Sequence, residues 1–93
     1  MFVIVLTYQA PLERIDELMP AHMAFVRKCY DAGFFLASGR QIPRRGGVIL
    51  ASGGTKPDVA EIMQRDPFIA QGAASFEVIE FNVSQSQSGF TWR

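Results

Sequence analysis

Apolar residues follow two rhythms along this chain. The first is short and dense. "FVIVLT" (Phe2 to Thr7), "FFLASG" (Phe34 to Gly39), "GVILAS" (Gly47 to Ser52) and "ASFEVIEFNV" (Ala74 to Val83) are brief, apolar-rich segments set off by loop residues, and they predict four strands. The first and third do not alternate apolar with polar. Phe2, Ile4 and Leu6 face one way and Val3 and Val5 the other, so both faces of the sheet demand burial.

The second rhythm is helical. Ile15, Leu18, Met19, Phe25, Val26 and Cys29 recur at the three-, four- and seven-residue spacing of one helix face within Ala10 to Gly33. Pro11 suits the first turn of that helix, and Gly33 supplies its stop. Pro20 removes a backbone donor and disfavours helical geometry at Met19, which predicts a break or kink there and a main helix from Pro20 to about Ala32. A second helix opens in "GGTKPDVAEIMQRDPF", with Val59, Ile62 and Met63 as its stripe. Thr55 and Asp58 have capping-box spacing, with Asp where Glu or Gln is usual.

The order β-α-β-β-α-β predicts an α+β, ferredoxin-like fold: a four-stranded antiparallel sheet with two helices on one face. Two helices cover only one face, and no spare element covers the other. The economical cover is a second copy of the chain, which predicts a homodimer through the sheet faces.

Ninety-three residues suit a single domain. Residues 1–83 carry the predicted elements. Residues 84–93 form a flexible tail whose start, "SQSQSG", has a linker composition, and Phe90 and Trp92 follow it as aromatics that either dock or remain disordered. Nine acidic and nine basic residues cancel, which argues against a non-specific nucleic-acid binder. The apolar run at the N-terminus is too short to span a bilayer and lacks the basic start of a signal peptide, so no membrane partner and a cytoplasmic location are expected. The single cysteine, Cys29, excludes an internal disulfide and lies on an apolar helix face, as a buried, inert thiol would. One histidine and no clustered ligands give no support for a metal site.

That histidine is His22, in "MPAHMAFVRKCY", near the middle of the apolar arc of the first helix. It is either a hydrogen-bonded core residue or the group that exchanges protons near neutral pH. Asp66 continues the Val59, Ile62, Met63 stripe and so points inward or to the edge of the core. In "RDPFIA" it can also cap a short turn that starts at Pro67. The two roles are compatible, because one carboxylate oxygen can cap the turn while the other binds an imidazole. Both helices pack on one sheet face, so a meeting of His22 with Asp66 is geometrically open. Ser38 needs no function as a turn residue, and no G-x-S-x-G elbow surrounds it. Arg40, Arg44 and Arg45 are either anion contacts or a solvated loop. The glycine pairs Gly46-Gly47 and Gly53-Gly54 fit neither a P-loop nor a dinucleotide fingerprint.

The segments "PAHMAFVRKCYDAGFFLASGR", "GGVILA" and "RDPFIAQGAASFEVIEF" resemble the YciI-like (YCII-related) domain, and the resemblance extends over residues 1–83. It rests on the histidine after Pro-Ala, the "ASG" that ends the second strand, and "DPF" followed by Gly72. It implies a dimeric α+β barrel with a site built from His22 and Asp66, and with Ser38 and Gly39 lining the same cleft. Related dimeric-barrel enzymes, such as the muconolactone isomerase group, shift protons on small oxidised-ring compounds.

The expected function is therefore a small cofactor-free enzyme. It would carry out isomerisation or elimination on a small, aromatic-derived metabolite, with His22 and Asp66 catalytic and Ser38, Gly39 and Arg40 holding the substrate. Two alternatives stand beside it: a non-catalytic ligand-binding or regulatory dimer, with His22 and Asp66 as a buried latch, and a monooxygenase-like barrel acting on electron-rich rings.

Overall fold

The computed structural model describes residues 1–92. The elements run β1 (Phe2–Tyr8), α1 (Leu12–Asp31), β2 (Phe35–Arg40), β3 (Gly46–Ala51), α2 (Lys56–Met63), α3 (Pro67–Ala70) and β4 (Ala74–Glu80). The strands form one sheet in the order β2-β3-β1-β4, with every neighbouring pair antiparallel. This is the α+β, ferredoxin-like arrangement that the element order predicts.

The register sorts the side chains. Phe2, Ile4 and Leu6 of β1, Ile49 and Ala51 of β3, and Val78 of β4 point to the helices and are buried. With Val26 and Cys29 of α1, Phe35 of β2, and Val59 and Met63 of α2 they form the main core. A second cluster joins Ile15 to Phe68, Ala73 and Ala74, with Leu18 and Met19 packed against it. On the other sheet face Val3, Val5 and Leu50 are half-buried, and Val48 and Ile79 are exposed at 40% and 45%.

The structure corrects the reading of Pro20. α1 is one helix of 20 residues that passes through it without a break. The missing N–H would have bonded the carbonyl of Asp16, and both Asp16 and Pro20 lie on the exposed side. Ile15 is buried on one side of the proline and Val26 and Cys29 on the other, and these anchors hold both halves to the protein interior. The helix ends at Asp31 with Ala32 as its C-cap, and Gly33 follows with a positive φ of 75°.

β4 is also shorter than expected and ends at Glu80, although the Phe81 amide still donates to the Met1 carbonyl at 3.0 Å. Beyond it, Phe90 shares a shallow depression with Leu50 and Phe81, and its ring lies 5.2 Å from that of Trp92. The start of α2 follows its motif. Thr55 and Asp58 form a reciprocal capping box, with the Thr55 amide donating to the Asp58 carboxylate at 2.9 Å.

Candidate active site

A cavity of about 260 Å³ lies between α1 and the sheet. It opens where the sheet carries small residues. Gly47 stands opposite Leu6 of β1 and Arg40 of β2, in a helix-facing position with no side chain to fill the gap. A Cβ there would lie 3.3 Å from the Gly39 carbonyl. Gly46 is required for another reason, since any side chain on it would collide with the Leu6 backbone carbonyl. Leu6, Met19, Met23, Val26, Ile49 and Phe68 supply the apolar wall, and His22, Tyr8, Ser38 and Arg40 the polar groups.

The floor beneath His22 is built by "DPF". Asp66 is the N-cap of α3, Pro67 occupies the first helical position, and the Phe68 amide donates to Asp66 Oδ1 at 3.0 Å. This start aims the Phe68 ring at α1, where it stacks under the imidazole of His22 with centroids 4.0 Å apart and planes 9° from parallel. Tyr8 meets the same Phe68 ring edge-on at 6.0 Å.

His22 and Asp66, 44 positions apart in the chain, meet directly. His22 Nδ1 lies 2.8 Å from Asp66 Oδ1. An ionised carboxylate only accepts, so Nδ1 carries the hydrogen and the neutral ring keeps its lone pair on Nε2. Nε2 has no protein partner among the described residues, and the His22 side chain retains 14% exposure where it lines the cavity.

Asp66 is 0% exposed. The structure corrects the expected division between its two oxygens: Oδ1 alone accepts from both the Phe68 amide and His22 Nδ1, whereas Oδ2 is buried with no partner among the described residues. The Asp66 charge also reaches Cys29. Burial pushes the Cys29 thiol up from its ordinary value, and the nearby carboxylate adds to the shift, so the thiol stays protonated near neutral pH.

The other candidates separate. Ser38 lines the cavity but does not pair with His22, and its Oγ lies 2.7 Å from the hydroxyl of Tyr30. Tyr30 sits about two turns beyond His22 on α1, and its ring meets Phe35 edge-on at 5.9 Å. Sequence reasoning missed Tyr30, and it gave the Phe68 ring no role even though "DPF" was in view. Gly39 contributes backbone to the lining.

The three arginines read as one loop also differ, and the structure places Arg40 in β2 because it pairs with Gly47 of β3. Arg44 is tied to Asp16 at 2.6 Å and lies 5.8 Å above the Tyr8 ring. Arg45 is exposed and does not line the cavity. Arg40 lines it and makes no ion pair or hydrogen bond among the described residues. No group of three or more His, Cys, Asp or Glu side chains able to hold a metal occurs among the described residues, and no helix among them is long and apolar enough to cross a membrane.

The family model of the YCII-related domain matches residues 1–82, and the chain belongs to that family. Among solved structures it is similar to 5-chloro-2-hydroxyhydroquinone dehydrochlorinase (TftG) from Burkholderia phenoliruptrix AC1100, in complex with 2,5-dihydroxybenzoquinone. The TM-score is 0.72 at 15% identity, with 88% of this chain and 94% of that chain covered, so the two share a fold. No curated protein matches the chain.

Proposed function

We propose that this YCII-related protein is a small-molecule acid–base catalyst that moves protons on an aromatic-derived metabolite of single-ring size. One observation carries the reading. The only histidine of the chain lines an apolar cavity, with one ring nitrogen held by a fully buried carboxylate and the other without a partner among the described residues. A cap alone would not require Asp66 to be buried with an oxygen unpartnered among the described residues, because an exposed carboxylate caps a helix equally well. Support also comes from the structural neighbour, whose name describes dehydrochlorination and whose complex holds a quinone.

In this mechanism His22 Nε2 takes a proton from the substrate, and the electron pair of the broken bond forms a new π bond. In an elimination the leaving group departs with its own bonding pair. In an isomerisation the imidazolium returns the proton at another atom. Asp66 holds the Nδ1–H tautomer and stabilises the imidazolium by its charge. Ser38, positioned by Tyr30, together with the Gly39 backbone and Arg40, holds the substrate. These steps need no cofactor, since they move a proton and, in the elimination, release a leaving group with its bonding pair, with no external oxidant or reductant.

The test is His22→Ala, assayed by NMR in D2O for proton exchange and elimination on hydroxylated and chlorinated hydroquinones. The expected loss is about 10²- to 10⁴-fold in turnover with the fold retained. Turnover unchanged in the variant would sink the assignment.

The same proposal places a second copy of the chain over the outer sheet face, where Val48 and Ile79 are exposed. Sedimentation should report twice the 10.3 kDa chain mass, and Val48→Asp should shift it toward one chain. A wild-type protein sedimenting as a single chain would exclude the dimer.

A further inference from the structure

The charge of the cavity lining is one-sided. Among the described residues its ionisable members are His22, Arg40 and the Tyr8 phenol, and no Asp or Glu lines it. The nearest carboxylate in the site, Asp66, is 0% exposed and already engaged by His22 and the Phe68 amide. Arg40 differs from the other arginines that carry a partner. Arg14 lies 3.9 Å from Glu17, Arg65 lies 3.9 Å from Glu61, and Arg44 is held by Asp16. Arg40 has no such neighbour among the described residues; exposed at the end of β2, it lines the cavity that His22 lines from α1. A guanidinium left unpaired beside an apolar cavity is a ready partner for an anionic oxygen group.

Size fixes the rest. An apolar cavity of about 150 Å³ accepts benzene. A volume of about 260 Å³ accepts one ring with substituents. We infer that the ligand of this cavity is a single-ring molecule bearing an anionic oxygen group, a carboxylate or phenolate, and that Arg40 is the residue that selects for that charge. The ring lies against Met19, Met23 and Phe68, the anion lies at Arg40, and the ring edge faces His22 Nε2. The inference rests on the reading of this cavity as the substrate site.

The experiment is an NMR titration of the ¹⁵N-labelled full chain with benzoate and with benzamide, its neutral isostere. The amides of Ser38, Gly39 and Gly47 and the ring of His22 report the site. Benzoate is expected to bind about tenfold more tightly than benzamide. Arg40→Gln should bring the ratio close to one by weakening benzoate while leaving benzamide unchanged. Arg27→Gln, which removes an exposed charge from α1 outside the cavity lining, should keep the preference. Equal affinities in the wild-type protein would overturn the inference, as would a preference that survives Arg40→Gln or disappears equally in Arg27→Gln. Each of those outcomes leaves the acid–base reading of His22 standing. If neither probe perturbs the site resonances, the inference and the substrate-site reading fall together.

Discussion

Asp58 and Asp66 stand at the starts of consecutive helices, and each carboxylate accepts a backbone N–H there. Asp58 receives the Thr55 amide at 2.9 Å and Asp66 the Phe68 amide at 3.0 Å. Their surroundings differ. Asp58 is exposed, and its interactions are complete within the capping box of α2. Asp66 is fully buried, shares its capping oxygen with His22, and keeps its other oxygen unpartnered among the described residues. Local geometry makes both of them helix-start residues. What separates them is the material stacked over the second, where α1 brings down an imidazole and Phe68 supplies the ring beneath it. A cap that needs only water around it and a cap placed inside the protein serve different ends. The buried one holds a histidine in a defined tautomer beside a cavity.

The sharpest way to break this comparison is to remove both acceptors in turn. Asp66→Ala leaves the Phe68 amide and His22 Nδ1 without their partner, so urea denaturation should show a loss of about 2–3 kcal/mol. Asp66→Asn keeps an oxygen for the cap, and stability should stay within about 1 kcal/mol of wild type. The neutral amide no longer stabilises the imidazolium, so turnover should fall by about a hundredfold. An Asn variant as active as the wild type would reduce Asp66 to a second Asp58.

At the start of α2, Thr55→Ala should cost about 1 kcal/mol in the same denaturation and leave ligand binding untouched. The smallest effect is confined to acid. The backbone and side-chain hydrogen bonds of Thr55 hold the Asp58 carboxyl below its ordinary value of 3.8. Its stabilising contribution is therefore complete above that value and is lost as the pH falls through the lower folded-state pKa. The pH-dependent part of the difference in melting temperature between wild type and Asp58→Ala should be present at neutral pH and vanish at the acid end. A difference that grew on acidification would contradict the sign of the shift.

Much of this protein follows from its order of residues, because the relevant interactions are local. The strand and helix rhythms, the stop at Gly33, the Thr55–Asp58 box and the Asp66-Pro67 start each depend on groups a few positions apart, and the structure contains all of them. The uncovered sheet face could be read in the same way, from the valines on the second side of β1.

Tertiary packing decided the rest. Pro20 is tolerated because buried side chains on either side of it anchor one continuous helix, and no local rule weighs that anchoring against a missing hydrogen bond. His22 reaches Asp66 across 44 positions because α2 stops at Met63, before the predicted stripe reaches Asp66, and Asp66 caps α3, which packs against α1. The Tyr30–Ser38 contact and the Phe68 stack are likewise products of packing between elements. The same is true of the arginines. Arg40, Arg44 and Arg45 look equivalent in sequence, but Asp16 on α1 pairs with Arg44, whereas Arg40, at the end of β2, lines the cavity without an ion pair among the described residues. Sequence determines which groups this protein has and which local frames hold them. The three-dimensional neighbours determine which of those groups are satisfied and which remain available to a ligand.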